Sequence, residues 1–299
     1  MLHRLAIGLG LALALSAQSV NGPTFEEAVA LFQDRNFTAA LEIAEPLATG
    51  GDARAMAMMG AAYQSGRGVA QDIAKATAWF EQAAAKGHPG AEFSLALIYL
   101  DAGDMAKGKP FLEKAALGGN AQAQHNLALI AANGDAPDWK LALSWFEKAA
   151  LAGFAESQYN LGILYAEGRG VEKNPVKAAE WFAKAATQGL ADAALDYGVM
   201  VFRGDGVQKD EKIGAQWMVI AARRGNVVAQ NRVARLFATG RGVALDPVEA
   251  MKWNILAAKG GRPDDWLEAY AARQTADQKA EASTRAAAFA PESPPAPAE

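Results

Sequence analysis

The chain has 299 residues, a formal charge of −4 and no cysteine. Disulfides, thiolate metal sites, a cysteine nucleophile and a lipid-modified N-terminal cysteine are therefore excluded, and the acidic balance has the wrong sign for gripping a nucleic-acid backbone. Half of the residues (51%) are hydrophobic but only 8% are aromatic; with alanine abundant, this composition of small apolar side chains predicts closely packed helices and an all-α protein.

Residues 1–19 read as a signal peptide: basic His3 and Arg4, an apolar stretch from Leu5 to Leu15, then small and polar residues. Eleven apolar residues are too few to span a bilayer core, which takes roughly 20. Ala14-Leu15-Ser16 and Ala17-Gln18-Ser19 both satisfy the small-x-small rule, so cleavage is expected after Ser16 or Ser19. The loss of Arg4 takes the charge from −4 to −5 and leaves a periplasmic or secreted chain without a membrane span. Residues 20–50 come next, with a short helix pair from Thr24 to Leu47. Phe25, Ala28, Leu31 and Phe32 lie on one helix and Phe37, Ala40, Leu41 and Ala44 on the other, suited to capping an array.

From residue 51 to 262 the sequence repeats. A bulky aromatic recurs at Trp79, Phe111, Trp145, Trp181, Trp217 and Trp253, at spacings of 32, 34, 36, 36 and 36 residues. Seven positions before each stands Asp72, Asp104, Asp138, Asn174, Asp210 or Asp246; four and five after comes Ala-Ala; eight after comes Gly87, Gly119, Gly153, Gly189, Gly225 or Gly261. Asp and Asn are preferred N-caps, and Pro175 and Pro247 follow two of them at the first helical position, where a missing N–H costs nothing. The cap starts a helix, and the aromatic, the Ala pair and small residues such as Ala76, Ala142, Ala178 and Ala250 are expected to form its apolar face. The glycine ends it in a left-handed C′ conformation.

Each capped helix is preceded by another. Met59-Gly60-x-x-Tyr63, Leu161-Gly162-x-x-Tyr165, Tyr197-Gly198-x-x-Val201 and Val233-Ala234-x-x-Phe237 share one register, and each runs into a turn such as Gly66-Arg67-Gly68-Val69 or Gly168-Arg169-Gly170-Val171. These residues resemble the Sel1-like repeats, relatives of the tetratricopeptide repeats with L-G-x-x-Y, G-x-G-V, a capped helix carrying K-A-x-x-W and A-A, then G; Lys177-Ala178-Ala179-Glu180-Trp181 through Ala185-Ala186 fits closely. The likeness covers residues 53–261, as six repeats over about 53–87, 88–119, 120–153, 154–189, 190–225 and 226–261. Repeats two and three depart from it, with loops shortened around Asp101-Ala102-Gly103 and Asn133-Gly134-Asp135 and Ala131 in place of the tyrosine. The resemblance implies a right-handed superhelical solenoid of antiparallel helix pairs. After it, residues 263–289 read as capping helices with Trp266 and Tyr270 turned inward and Thr275 as an N-cap, and 290–299 as a disordered Pro-rich tail.

Catalytic motifs are lacking. Gly103-Asp104-Met105-Ala106-Lys107-Gly108-Lys109-Pro110 has phosphate-loop spacing but ends in Pro where Ser or Thr must hold magnesium. His88 and His125 have no ligand partners at metal spacing and read as surface residues. No cofactor, metal or enzymatic activity is expected. The resemblance places partner binding on the inner, concave face of the first helices, at positions two before, two after and five after the Leu of L-G. Carried over, these are Phe93, Leu97, Leu100, His125, Leu129, Tyr159, Ile163, Leu195, Val199 and Phe202, an apolar stripe that reads equally as a docking face or as packing between repeats. A basic cluster, Arg203, Arg223, Arg224, Arg232, Arg235 and Arg241, is a second candidate, for an anionic partner. The expectation is a monomeric envelope scaffold or adaptor that holds a protein or peptide; the alternative is a carbohydrate- or peptidoglycan-binding module.

Overall fold

The computed structural model describes residues 23–133 and 135–293, so the signal-peptide reading and the end of the tail lie outside the described residues. All regular structure among those residues is helical. It comprises α1 (Phe25–Gln33), α2 (Phe37–Thr49), α3 (Ala53–Ser65), α4 (Ile73–Ala85), α5 (Pro89–Asp101), α6 (Met105–Leu117), α7 (Ala121–Ala132) and α8 (Trp139–Leu151). There follow α9 (Ala155–Glu167), α10 (Pro175–Thr187), α11 (Ala191–Arg203), α12 (Glu211–Arg223), α13 (Val227–Thr239), α14 (Pro247–Lys259), α15 (Asp265–Ala272) and α16 (Ala276–Ala287). The chain divides into two units, the first ending at Gly108 and the second beginning at Lys109, within α6. In the first unit each of α1 to α5 packs on its neighbour; in the second the same holds from α7 to α14, with α15 and α16 laid against α14. This is the solenoid of helix pairs that the repeat implies.

All six caps form. Asp72, Asp104, Asp138, Asn174 and Asp210 each accept from the backbone N–H three residues on at 2.9–3.1 Å, and Asp246 accepts from those of Val248 and Glu249. Each such bond is worth about 1 kcal/mol. Asp104 opens α6 at the start of the phosphate-loop look-alike, whose Gly108, Lys109 and Pro110 therefore lie inside a helix. The second glycine of the G-x-G-V turn has two reasons to be glycine. Gly206 has φ +71°, and a Cβ there would run into the Pro175 carbonyl that opens α10; Gly170 and Gly242 meet Trp139 and Glu211 in the same way. The turn thus presses its backbone onto the second helix of the preceding repeat.

The aromatic column is not the centre of the core. Trp79, Phe111, Trp145, Trp181 and Trp217 are half-buried, and only Trp253 is enclosed. The next residue is the buried one: Phe80, Leu112, Phe146, Phe182 and Met218 are 0–4% exposed, each contributing about 2–3 kcal/mol by burial. Gly60 and Gly162 of L-G lie against the Phe80 and Phe182 rings, with room for no Cβ. Two of the half-buried rings carry cations, with Lys148 over Trp145 and Lys184 over Trp181, both at 4.0 Å.

At the C-terminal end, Thr275 caps α16 in a capping box. Trp266 is not turned inward: it is 45% exposed and stacked on Tyr270 at 5.9 Å, while Leu267 enters the core in its place. The proline-rich segment also begins ordered. Phe289 packs edge-on against Trp253, and the Glu292 N–H donates to the Arg223 carbonyl at 2.9 Å.

Candidate partner-binding face

The predicted stripe separates into two columns. The residues two before the Leu of L-G work at seams between repeats. His125 Nδ1 lies 2.8 Å from the Ser157 hydroxyl of the next repeat, with its ring against Phe146 and Phe154; the Tyr159 hydroxyl donates to Asp196 at 3.1 Å. Asn231 donates to Asp264 at 2.9 Å, and Leu195, 7% exposed, is core. His125 is therefore a half-buried joint and not a surface residue, and burial holds its pKa below the ordinary 6.5 against the pull of Glu156. The His–Ser contact has the look of a base and nucleophile, but Ser157 is fully buried and no substrate reaches it. His88 caps α5, its Nδ1 accepting from the Ala91 N–H at 3.1 Å.

The positions two and five after the Leu behave differently. Leu129 is exposed, and Ile163, Val199 and Phe202 line clefts. One cleft, of about 630 Å³, opens between α9 and α11 over Ile163, Phe182, Val199 and Met200. The other, of about 430 Å³, opens between α11 and α13 over Val199, Phe202, Met218 and Leu236. In the first unit Phe93, Leu97 and Leu100 are half-buried, and Leu100 is covered by Gly108 at the start of α6.

The basic cluster also divides. Arg203, Arg232, Arg235 and Arg241 gather around the second cleft, so the charged candidates and the end of the stripe form one site. Arg223 and Arg224 do not join them. Arg223 faces Glu292 of the returning tail at 3.9 Å, and Arg224 is spent inside the array, its guanidinium donating to the Ala186 carbonyl at 3.5 Å.

The Sel1 repeat matches residues 53–88, 121–154, 155–190, 191–226 and 227–261, more than half of the chain. The chain belongs to the Sel1 repeat family. The segment between the first two matches is the divergent second repeat, which carries Gly108 and Pro110 where its neighbours have Ala76 and Ala78, or Ala142 and Ser144. Among solved structures the chain is similar to a protective antigen of uropathogenic Escherichia coli displaying an SLR fold, at 27% identity and a TM-score of 0.73, over 89% of this chain and 61% of that one. It thus spans less than two thirds of that relative's length. It is also similar in fold to a Sel1 repeat protein from Oxalobacter formigenes, at 23% identity and a TM-score of 0.66, over 79% of this chain and 97% of that one. No curated protein matches it. Sel1 repeat proteins generally act as protein–protein interaction scaffolds and are typically non-catalytic.

Sequence reading missed a column that joins these Sel1 repeats. Buried Gln124, Gln158 and Gln230, four residues before the Gly or Ala of L-G, donate through Nε2 to the carbonyls of Ala116, Ala150 and Ala222 at 2.9–3.2 Å. Each spans from a first helix to the Ala pair of the repeat before. The signal was present as glutamines spaced 34 and 72 residues apart, hidden because repeat five has Ala194 there. Arg224 fills the vacancy.

Proposed function

We propose that this chain is an exported scaffold or adaptor, periplasmic or secreted, which holds a partner protein of the cell envelope on the first-helix face of its second unit. The observation that carries the reading is the pair of adjoining clefts floored by Ile163, Val199 and Phe202, positions that the repeat architecture does not fix. Exposed apolar surface flanked by polar groups is the usual mark of a docking site, and a groove between helices suits a helix or an extended segment. Export is supported by the basic, apolar, small-residue order of residues 1–19. No helix of the described residues is long and apolar enough to cross a membrane.

The test is site-specific photo-crosslinking in cells, with the reactive amino acid at Val199 in the clefts or at Leu151, exposed at the end of α8. A discrete protein adduct from Val199 alone, in the envelope fraction, is the expected result. Adducts of equal yield from both sites, or from Leu151 alone, would refute the assignment of the face.

A further inference from the structure

The two clefts occupy the same place in successive repeats. Ile163, Phe182 and Met200 of the first stand 36 residues before Val199, Met218 and Leu236 of the second. The floors are equivalent in chemistry; three rim positions change sign, while Lys173 and Lys209 keep theirs and Arg203 lines both clefts. Glu167, Asp196 and Asp205 rim the first cleft, and at the same three registers Arg203, Arg232 and Arg241 rim the second.

Some of these charges are already engaged. Arg241 pairs with Glu211 at 2.7 Å and lies over Phe202, Arg235 is held bidentately by Asp264, and Glu167 pairs with Arg169 at 2.6 Å. Arg203 and Arg232, in contrast, make no ion pair among the described residues, although both line one cleft. Burial, followed by the positive charge of Arg203, pushes the pKa of Arg232 below its ordinary value, with Asp196 opposing and Arg262 adding to the effect. Two like charges on an apolar floor, neither of them ion-paired and the cleft's Glu211 taken up by Arg241 and Lys209, form a receptor for an anion that also carries an apolar group.

We propose that the second cleft receives an extended partner segment in which a carboxylate side chain adjoins an aliphatic or aromatic one. The carboxylate sits between Arg203 and Arg232, the apolar side chain rests on Val199 and Phe202, and a basic residue of the same segment lies over Asp205 in the first cleft. Helices packed side by side stand about 10 Å apart, roughly three residues of extended chain, so the acidic and basic residues are expected about three positions apart. The opposed rims then fix the direction of the segment as well as its charge. This inference rests on the face proposed above and adds the chemistry of what it reads.

The test is selection of a random peptide library of about twelve residues on the full chain, beside Arg203→Glu/Arg232→Glu and, as a control remote from the clefts, Arg223→Glu. On the unmodified chain and the control, peptides with Asp or Glu next to Leu, Ile or Phe should be enriched, with Lys or Arg about three positions away. On the doubly reversed chain the acidic preference should vanish or turn basic. A fluorescein-labelled representative should bind that variant at least about tenfold more weakly and bind Arg223→Glu within about twofold. Should the double Glu variant lose helicity, Arg203→Gln/Arg232→Gln serves with the same expected loss. Selected peptides without acidic bias, or a preference unchanged by charge reversal, would overturn the proposal. So would failure to select any peptide; if Val199 still crosslinks a protein, the scaffold reading survives that failure. Retention of polygalacturonate by the unmodified chain, lost on charge reversal and with no peptide selected, would assign the cleft to anionic carbohydrate instead.

Discussion

Repeat five lacks the seam glutamine, and its replacement can be exchanged for the pattern one repeat earlier. There, Gln158 donates to the Ala150 carbonyl at 3.1 Å and accepts from Gln188 at 2.7 Å. Thirty-six residues on, the pair is Ala194 and Arg224. Arg224 reaches the Ala186 carbonyl at 3.5 Å, the long limit of a hydrogen bond, and its Nε is buried without an acceptor. Arg224→Gln alone removes a weak bond and relieves an unpaired donor, so its effect is expected within about 1 kcal/mol. Ala194→Gln alone drives a side chain into space the guanidinium occupies, and overpacking of this kind costs about 1–3 kcal/mol. Together they rebuild two bonds worth about 1 kcal/mol each, giving a double variant more stable than the parent and a coupling of at least about 2 kcal/mol. Since repeat arrays can open piecewise, hydrogen exchange of the α11 and α12 amides should accompany thermal denaturation. Effects that add to within about 0.5 kcal/mol would refute the shared slot.

Three further outcomes follow from the seams and turns. Gly206→Ala is expected to destabilise by about 2–4 kcal/mol, through its left-handed backbone and the Pro175 carbonyl. Gly87→Ala, with the same sign of φ and nothing within 4 Å of the new Cβ, should cost only about 1 kcal/mol; equal losses in calorimetry would mean that the turn does not bind the repeats. His125 has a folded pKa below 6.5, so the joint it makes is at full strength above that pH and weakens as pH falls from 6.5 to the lowered value, where only the unfolded chain gains the proton. Faster exchange of α7 and α9 amides at about pH 5.5 than at about pH 7.5, after correction for intrinsic rates, with the difference reduced in His125→Asn, is the expected signature. Burial by itself raises the Asp264 pKa, but the bonds from Arg235, Asn231 and the Leu267 N–H outweigh it and hold the group at about 2. Its contribution is present above pH 3.8 and is lost as pH falls through about 2; Asp264→Asn should loosen α15 from α13 by about 1 kcal/mol, read as faster proteolysis after Arg262 or Arg273.

The sequence made the architecture legible because caps, turns and tight glycines act locally and recur: each Asp or Asn cap meets an N–H three residues away, whatever its neighbours do. It was misleading where one residue type serves two environments. The tryptophans catch the eye, yet Phe80, Phe146 and Phe182 beside them are the core, and the difference is one step of 100° around a helix that no residue count reports. The stripe was ambiguous for a related reason. Tyr159 and Val199 are both apolar first-helix positions, but Tyr159 points along the array to Asp196 and Val199 points out between helices.

The charged rims were the least legible feature, and repetition itself conceals them. A period is found by asking what stays constant every 36 residues, whereas the candidate site is defined by what changes sign: Glu167 to Arg203, Asp196 to Arg232, Asp205 to Arg241. Asp196 and Arg241 also serve the fold, through Tyr159 and Glu211, but the caps, the Ala pairs and the turn glycines are complete without Glu167, Arg203, Asp205 and Arg232. Arg203 in particular ends α11 with its side chain exposed, near a helix C-terminus where a cation is welcome, so its presence needs no partner. Arg232 does not share that explanation: it is exposed in the middle of α13, away from either helix end, with the charge of Arg203 disfavouring its own and that of Asp196 favouring it. Neither capping nor an ion pair gives it a place in the fold, and the acidic segment proposed for the second cleft would give it one.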